Sequence, residues 1–293
     1  LVLLVGMCFV PETPRWLLSK GRLKECRKVL QKIEPENTVN DLIGQMEVEI
    51  EKDRNSAVGW RYLMQPWLRT PLMIAVCIMF FQQFVGINTV IYYSPKIFLM
   101  AGFESTLSAI WASVGIGIVN VVFTVISLYL VDRIGRRKLY FIGLSGIAFS
   151  VLCLSACFIY ANQLGEIGRW LMVIFMFGYV AFFAISIGPL GWLVISEIFP
   201  QKVRGLGTSI GSLAVWIFNC IVSFTFFKII DFFSIPGTEI VVGQTTSENP
   251  AGAFFLYGFI AVLGLVWGYL FLPETKGLSL EEIEQKWRKN REC

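Results

Sequence analysis

Apolar runs free of Asp, Glu, Lys and Arg recur six times along the chain, over 71–95, 105–131, 139–165, 170–196, 205–227 and 249–273. Each exceeds the roughly 20 residues with which an α-helix crosses about 30 Å of hydrocarbon. Drawn as helices, these segments are apolar on every side, unlike the one-sided helices of a water-soluble bundle. The pattern predicts an all-α membrane protein with a six-helix transmembrane bundle over 71–272. LVLLVGMCFV (1–10) is apolar but too short to span, and it lacks the basic start of a signal peptide. It reads as the end of a truncated transmembrane helix.

The polar segments carry a different periodicity. In the linker 11–70, Thr13 can cap a helix that opens at Pro14, a favoured first position. Apolar residues at helical spacing predict a second short helix over 38–54, with a disordered linker as the alternative. The tail 273–293 reads as one more helix, with Ser279 and Glu282 at capping-box spacing. PETPRWL (11–17) and PETKGLSL (273–280) each follow an apolar segment, six spans apart, as expected at the ends of two tandem six-helix halves.

Charge adds orientation. Of 25 Lys and Arg residues, eleven fall in 11–70, four in 132–138, two in 200–204 and five from 273 onward, all on alternate loops. The positive-inside rule makes those loops and the tail cytoplasmic. The net charge of +4 thus reflects topology rather than nucleic-acid binding. Seven cysteines form no CxxC pair and read as packing residues. No histidine is present, which removes His-based catalysis and metal ligation. No span holds a paired acid and base or a metal-ligand cluster, so the sequence points away from an enzyme and implies no cofactor.

One stretch contradicts the hydrophobic pattern that surrounds it. FQQFVGINTVIYYSP (81–95) places Gln82, Gln83, Asn88 and two tyrosines inside an uncharged span. In a straight helix Gln83 and Asn88 lie about 140° apart and cannot face one small target. A break at Gly86 would swing Asn88 toward the glutamines, and non-helical backbone at that depth is tolerated where it lines a cavity. Uncharged amides supply donors and acceptors suited to a neutral polyhydroxylated ligand, unless they tie neighbouring helices together. Asn120 is the one amide of its span. IGPLGW (187–192) sets Pro189 between glycines before Trp192, which can stack on a sugar ring or pack a helix kink. Trp216 and Asn219 occupy neighbouring faces of the next span. Asp132, Arg133, Arg136, Arg137, Glu197 and Arg204 lie at adjacent helix ends, where they form an ion-pair network or only anchor the positive side.

These residues carry a resemblance. PETPRWL (11–17), QQFVGINTVIYYSP (82–95), DRIGRR (132–137), GPLGW (188–192), EIFPQKVRG (197–205) and PETKG (273–277) resemble, in order, the C-terminal half plus intracellular helices of the sugar porter family of major-facilitator transporters. The resemblance implies Gln82, Gln83, Asn88, Asn120, Trp192 and Trp216 as substrate-binding residues, and Tyr92 and Tyr93 as an extracellular gate. It implies an intracellular charge network of Asp132, Arg133, Arg136, Arg137, Glu197 and Arg204, completed by Glu12 and Arg15. Val215, Ala184 and Gly191 depart from residues common in the family and leave hexose, pentose or inositol open. The expected function is transport of a monosaccharide or polyol by alternating access, as a proton symporter or a facilitative uniporter, in a plasma or bacterial inner membrane. The expected partners are that solute, a co-transported proton in the symport case, membrane lipid and a missing N-terminal six-helix half. The alternative is a sugar sensor on the same fold.

Overall fold

The computed structural model describes residues 10–55, 60–103, 105–200, 203–234, 240–242 and 245–277. The chain divides into two compact units, Leu1–Gly59 and Trp60–Cys293, so that residues 60–70 group with the bundle. The helix end expected over 1–10, apart from Val10, and the capping box expected from Ser279 and Glu282 fall outside the described residues.

The first unit contains α1 (Pro14–Ser19), α2 (Leu23–Leu30) and α3 (Glu36–Asn55). Thr13 Oγ1 accepts the Trp16 N–H at 3.4 Å, and Pro14 opens α1 where no N–H is needed. Leu17, Cys26, Leu30, Val39 and Ile43 form a small core. Burial pushes the Cys26 thiol pKa up, which keeps it a neutral packing group. Glu12 and Arg15 belong to this unit.

The second unit opens with α4 (Trp60–Leu63) and one 3-10 turn (Pro66–Leu68). Then follow α5 (Arg69–Phe84), α6 (Ile87–Met100), α7 (Thr106–Ile134), α8 (Arg136–Ile159), α9 (Ala161–Ile185), α10 (Ile187–Ile198), α11 (Arg204–Phe232) and α12 (Ala251–Phe271). Among the described residues six segments are long and apolar enough to cross a membrane, two of them broken: Pro66–Met100 and Ala161–Ile198. Between α11 and α12 lies an element the hydrophobic pattern does not announce. It is an antiparallel ribbon of β1 (Ile240–Val242) and β2 (Thr245–Ser247), with Val241 opposite Thr246.

Small residues set the helix packing, since lipid gives apolar side chains no incentive to leave it. α12 presents Gly258, Gly264 and Gly268 to Leu152, Leu144 and Tyr140 of α8, where an added Cβ would overlap each neighbour. Tyr140 donates to the Gly264 carbonyl at 3.0 Å across this seam. Asn249 donates to the Phe158 carbonyl at 2.8 Å and accepts the Ala251 N–H at 2.9 Å, fastening the start of α12 to the end of α8. α7 is the least buried span, with 11% of its most apolar window inside the protein.

Candidate binding cavity

Both broken spans break for reasons visible in the backbone. α5 ends at Phe84, Gly86 adopts φ 87°, and α6 restarts at Ile87. Only glycine takes that conformation without strain, and here the Tyr257 ring also occupies the space a side chain would need. The second break is at Ser186, with φ −126° and ψ −103°. Pro189 has no N–H to offer the Ile185 carbonyl four residues back. Ser127 of α7 donates to that carbonyl instead, at 2.8 Å. Pro95 leaves the Ile91 carbonyl in the same position, and Ser94 Oγ supplies the donor at 3.2 Å.

The breaks bring the amides together. Gln82 Nε2 donates to the Ile187 and Gly188 carbonyls at 3.1 and 2.7 Å. Two carbonyls on that side fix which end of the Gln82 amide is nitrogen. Its oxygen must then accept, and Gln83 Nε2 donates to it at 3.3 Å. Gln83 Oε1 in turn accepts from Asn88 Nδ2 at 2.6 Å, across the Gly86 break. The result is a one-way relay of three amides, polarised by its backbone end. Gln82 has spent both N–H groups inside the protein. Gln83 and Asn88 each keep one N–H, and Asn88 keeps its carbonyl oxygen.

These amides open on a cavity of about 380 Å³. Asn120, Trp192 and Trp216 line it as well, so all six substrate-binding candidates face one space. Trp192 and Trp216 are 43% and 66% exposed, leaving their ring faces available. Thr124, which the sequence reading missed, also lines the cavity; it is bonded to the Asn120 carbonyl at 2.7 Å and stands one turn further along α7. Asn219 lines it too, accepting from Ser223 Oγ at 3.0 Å and donating to the Tyr92 hydroxyl at 3.4 Å. Val215, Ala184 and Ile87 give part of the wall an apolar surface.

The two gate candidates separate. Tyr92 lines the cavity and is 53% exposed. Tyr93 packs instead, stacked on Phe226 with ring centres 5.5 Å apart, its hydroxyl donating to the Ser223 carbonyl at 3.4 Å. Successive helical residues point about 100° apart, so adjacent tyrosines cannot share one role easily.

At the basic end of the bundle, Arg136 opens α8 and grips Glu197 of α10 with two bonds, Nη2–Oε1 at 2.8 Å and Nε–Oε2 at 3.3 Å. Asp132 adds a contact to Arg136 Nη1 at 3.3 Å. Thr275 donates to Glu197 at 2.6 Å. Glu274, a residue the sequence reading passed over, accepts the backbone N–H groups of Arg136 and Arg137 at 3.1 and 3.2 Å. A carboxylate there satisfies the orphan donors of the α8 N-terminus and complements its dipole. Arg137 donates to the Tyr269 carbonyl, and Arg133 contributes its carbonyl to Lys276 Nζ, both at 2.7 Å. Arg204 departs from the expectation. Its Nε and Nη2 are buried and without a hydrogen-bond partner among the described residues, while Glu197 is engaged by Arg136 and Thr275.

The family described as "Sugar (and other) transporter" matches residues 1–287. The chain is 36% identical to the glucose transporter GlcP of Staphylococcus epidermidis over 287 residues, covering 98% of this chain and 60% of that protein. It is 33% identical to the probable polyol transporter 3 of Arabidopsis thaliana over 306 residues, 97% of this chain and 57% of that one. Among solved structures, the proton:xylose symporter XylE bound to 6-bromo-6-deoxy-D-glucose superposes with a TM-score of 0.72 at 32% identity, covering 98% of this chain and 56% of that one. The chain thus spans somewhat over half the length of the proteins it matches.

Proposed function

Since the chain belongs to the sugar (and other) transporter family, we propose that it forms one side of a carrier for a neutral monosaccharide or polyol. The carrying observation is the relay Gln82–Gln83–Asn88, whose residues line a cavity with no carboxylate, ammonium or guanidinium among the described residues that line it. A hydroxyl both donates and accepts, and a relay ending in both kinds of group matches it. Trp192 and Trp216 suit the apolar C–H face of a sugar ring. In this reading Asn88, Gln83, Asn120 and Asn219 bind solute hydroxyls, and Gln82 braces α10.

The bundle works against a second bundle of similar size, which supplies the facing wall. The two rock about the solute, and the Arg136–Glu197–Asp132 cluster favours the state in which it is closed. The basic end faces the cytoplasm by the positive-inside rule. A co-transported proton would use a titratable group outside this cavity lining. A sensor that binds without turnover draws no support from relatives named as transporters.

Reconstituting the complete gene product in liposomes and measuring uptake of glucose, xylose and myo-inositol tests the reading. Saturable uptake of at least one is expected. Asn88→Ala removes about two hydrogen bonds of roughly 0.5–1.5 kcal/mol each and should raise the half-saturation concentration roughly 5- to 100-fold. Absence of uptake, or an unchanged half-saturation value in Asn88→Ala, overturns it.

A further inference from the structure

We infer that Tyr179, which does not itself line the cavity, is a positioning residue for solute binding. It acts through the Val85 carbonyl to hold Gln83 and Asn88 in register across the Gly86 break. The inference rests on the transport reading above.

The break in this span creates an unmet acceptor. Where α5 stops, its last carbonyls lose the N–H groups that a continuing helix would bring. The left-handed turn at Gly86 rotates the Val85 carbonyl away from α6. Val85 is fully buried, so no solvent replaces the missing donor. Tyr179, also fully buried on α9, donates its hydroxyl to that oxygen at 2.9 Å. An orphaned carbonyl in such a place is costly, so the break is stable in this geometry only while the phenol is present.

The other side of the break is held as firmly. The Tyr257 ring of α12 lies against Gly86, and Thr89 donates to the Gly86 carbonyl at 2.7 Å. Between these two supports sit the residues that matter for binding. Gln83 precedes the break and Asn88 follows it, and their 2.6 Å hydrogen bond spans it. A rotation at Gly86 would change that distance directly.

The bracing is reciprocal. α9 sends Tyr179 to the break between α5 and α6, while α5 sends Gln82 to the carbonyls just after the break between α9 and α10. Each interrupted span therefore carries the side chain that satisfies the other, and the two breaks form one unit.

Tyr179→Phe removes the hydroxyl and little else. In liposomes holding the complete gene product, it is expected to raise the half-saturation concentration about five- to tenfold, with the maximal rate within about twofold of wild type. Tyr140→Phe is the matched control, since Tyr140 is equally buried and donates to a backbone carbonyl in a seam away from the cavity. Its half-saturation value should stay within about twofold of wild type. With Asn88→Ala already present, adding Tyr179→Phe should change affinity less than about twofold, because the Gln83–Asn88 pairing it holds across the break is gone. Placing 4-aminophenylalanine at 179 returns an N–H donor to the same spot and should restore wild-type affinity, a test that holds even if the Phe variant is recovered poorly. Unchanged affinity in Tyr179→Phe, full additivity with Asn88→Ala, equal losses in Tyr140→Phe, or no restoration by the amino group overturns the inference while leaving the transport reading standing. Wild-type protein that takes up none of the three solutes overturns both.

Discussion

Gly86→Ala is expected to lower the stability of the protein by about 2–5 kcal/mol and to abolish solute uptake. Two independent costs combine. A non-glycine residue in the left-handed region carries about 1–2 kcal/mol. Forcing a methyl group into the Tyr257 ring adds about 1–3 kcal/mol of overpacking or displacement. The functional loss follows because the substitution moves the junction over which Asn88 reaches Gln83. Gly117→Ala on α7 makes the informative contrast: it lies mid-helix with nothing within 4 Å of the added carbon. There the same substitution should be neutral or stabilising by up to about 1 kcal/mol. Thermal unfolding of the detergent-solubilised protein measures both, and a wild-type midpoint for Gly86→Ala would refute this account of the break.

Glu197→Ala should have the next largest effect, a loss of about 2–4 kcal/mol. The side chain of Arg136 is 12% exposed and that of Glu197 21%, so removing the carboxylate strands a guanidinium with little access to water. It also strips Thr275 of its acceptor. Of the other acids near Arg136, Asp132 is 75% exposed and Glu274 is committed to the backbone N–H groups of Arg136 and Arg137. Asp132→Ala should therefore cost no more than about 1 kcal/mol, as surface pairs do. Unfolding midpoints of the two variants side by side decide the matter. Equal losses would mean that the Arg136–Glu197 pair is no tighter than an anchoring charge at a membrane surface.

Reading the chain in one dimension succeeds where a local rule suffices. Six spans follow from uncharged length, the α1 start from Thr13 and Pro14, and the first break from a glycine among amides. The proximity of Asn88 to Gln83 follows once that break is granted, because the two are only five residues apart. Other features depend on partners far along the chain. Glu274 caps a helix that begins 138 residues earlier, and nothing in PETKG says which helix end it will meet. Tyr179 looks like one more aromatic in an apolar span, yet its hydroxyl is committed to a carbonyl 94 residues away. The sequence places Glu197 and Arg204 in one cluster of charges without saying which pairs form, and packing joins the carboxylate to Arg136. Tyr92 and Tyr93 are alike in sequence and are divided only by which side of α6 meets α11.

The cavity's lack of formal charge bears on how a solute is captured. Amides and indoles gain or lose no proton between about pH 4 and pH 9, so their grip on a neutral guest should be level across that interval. With no field to draw the guest inward, its rate of arrival should also be indifferent to ionic strength. Any acidity or salt dependence of solute binding is then expected to originate in groups outside this wall of the cavity.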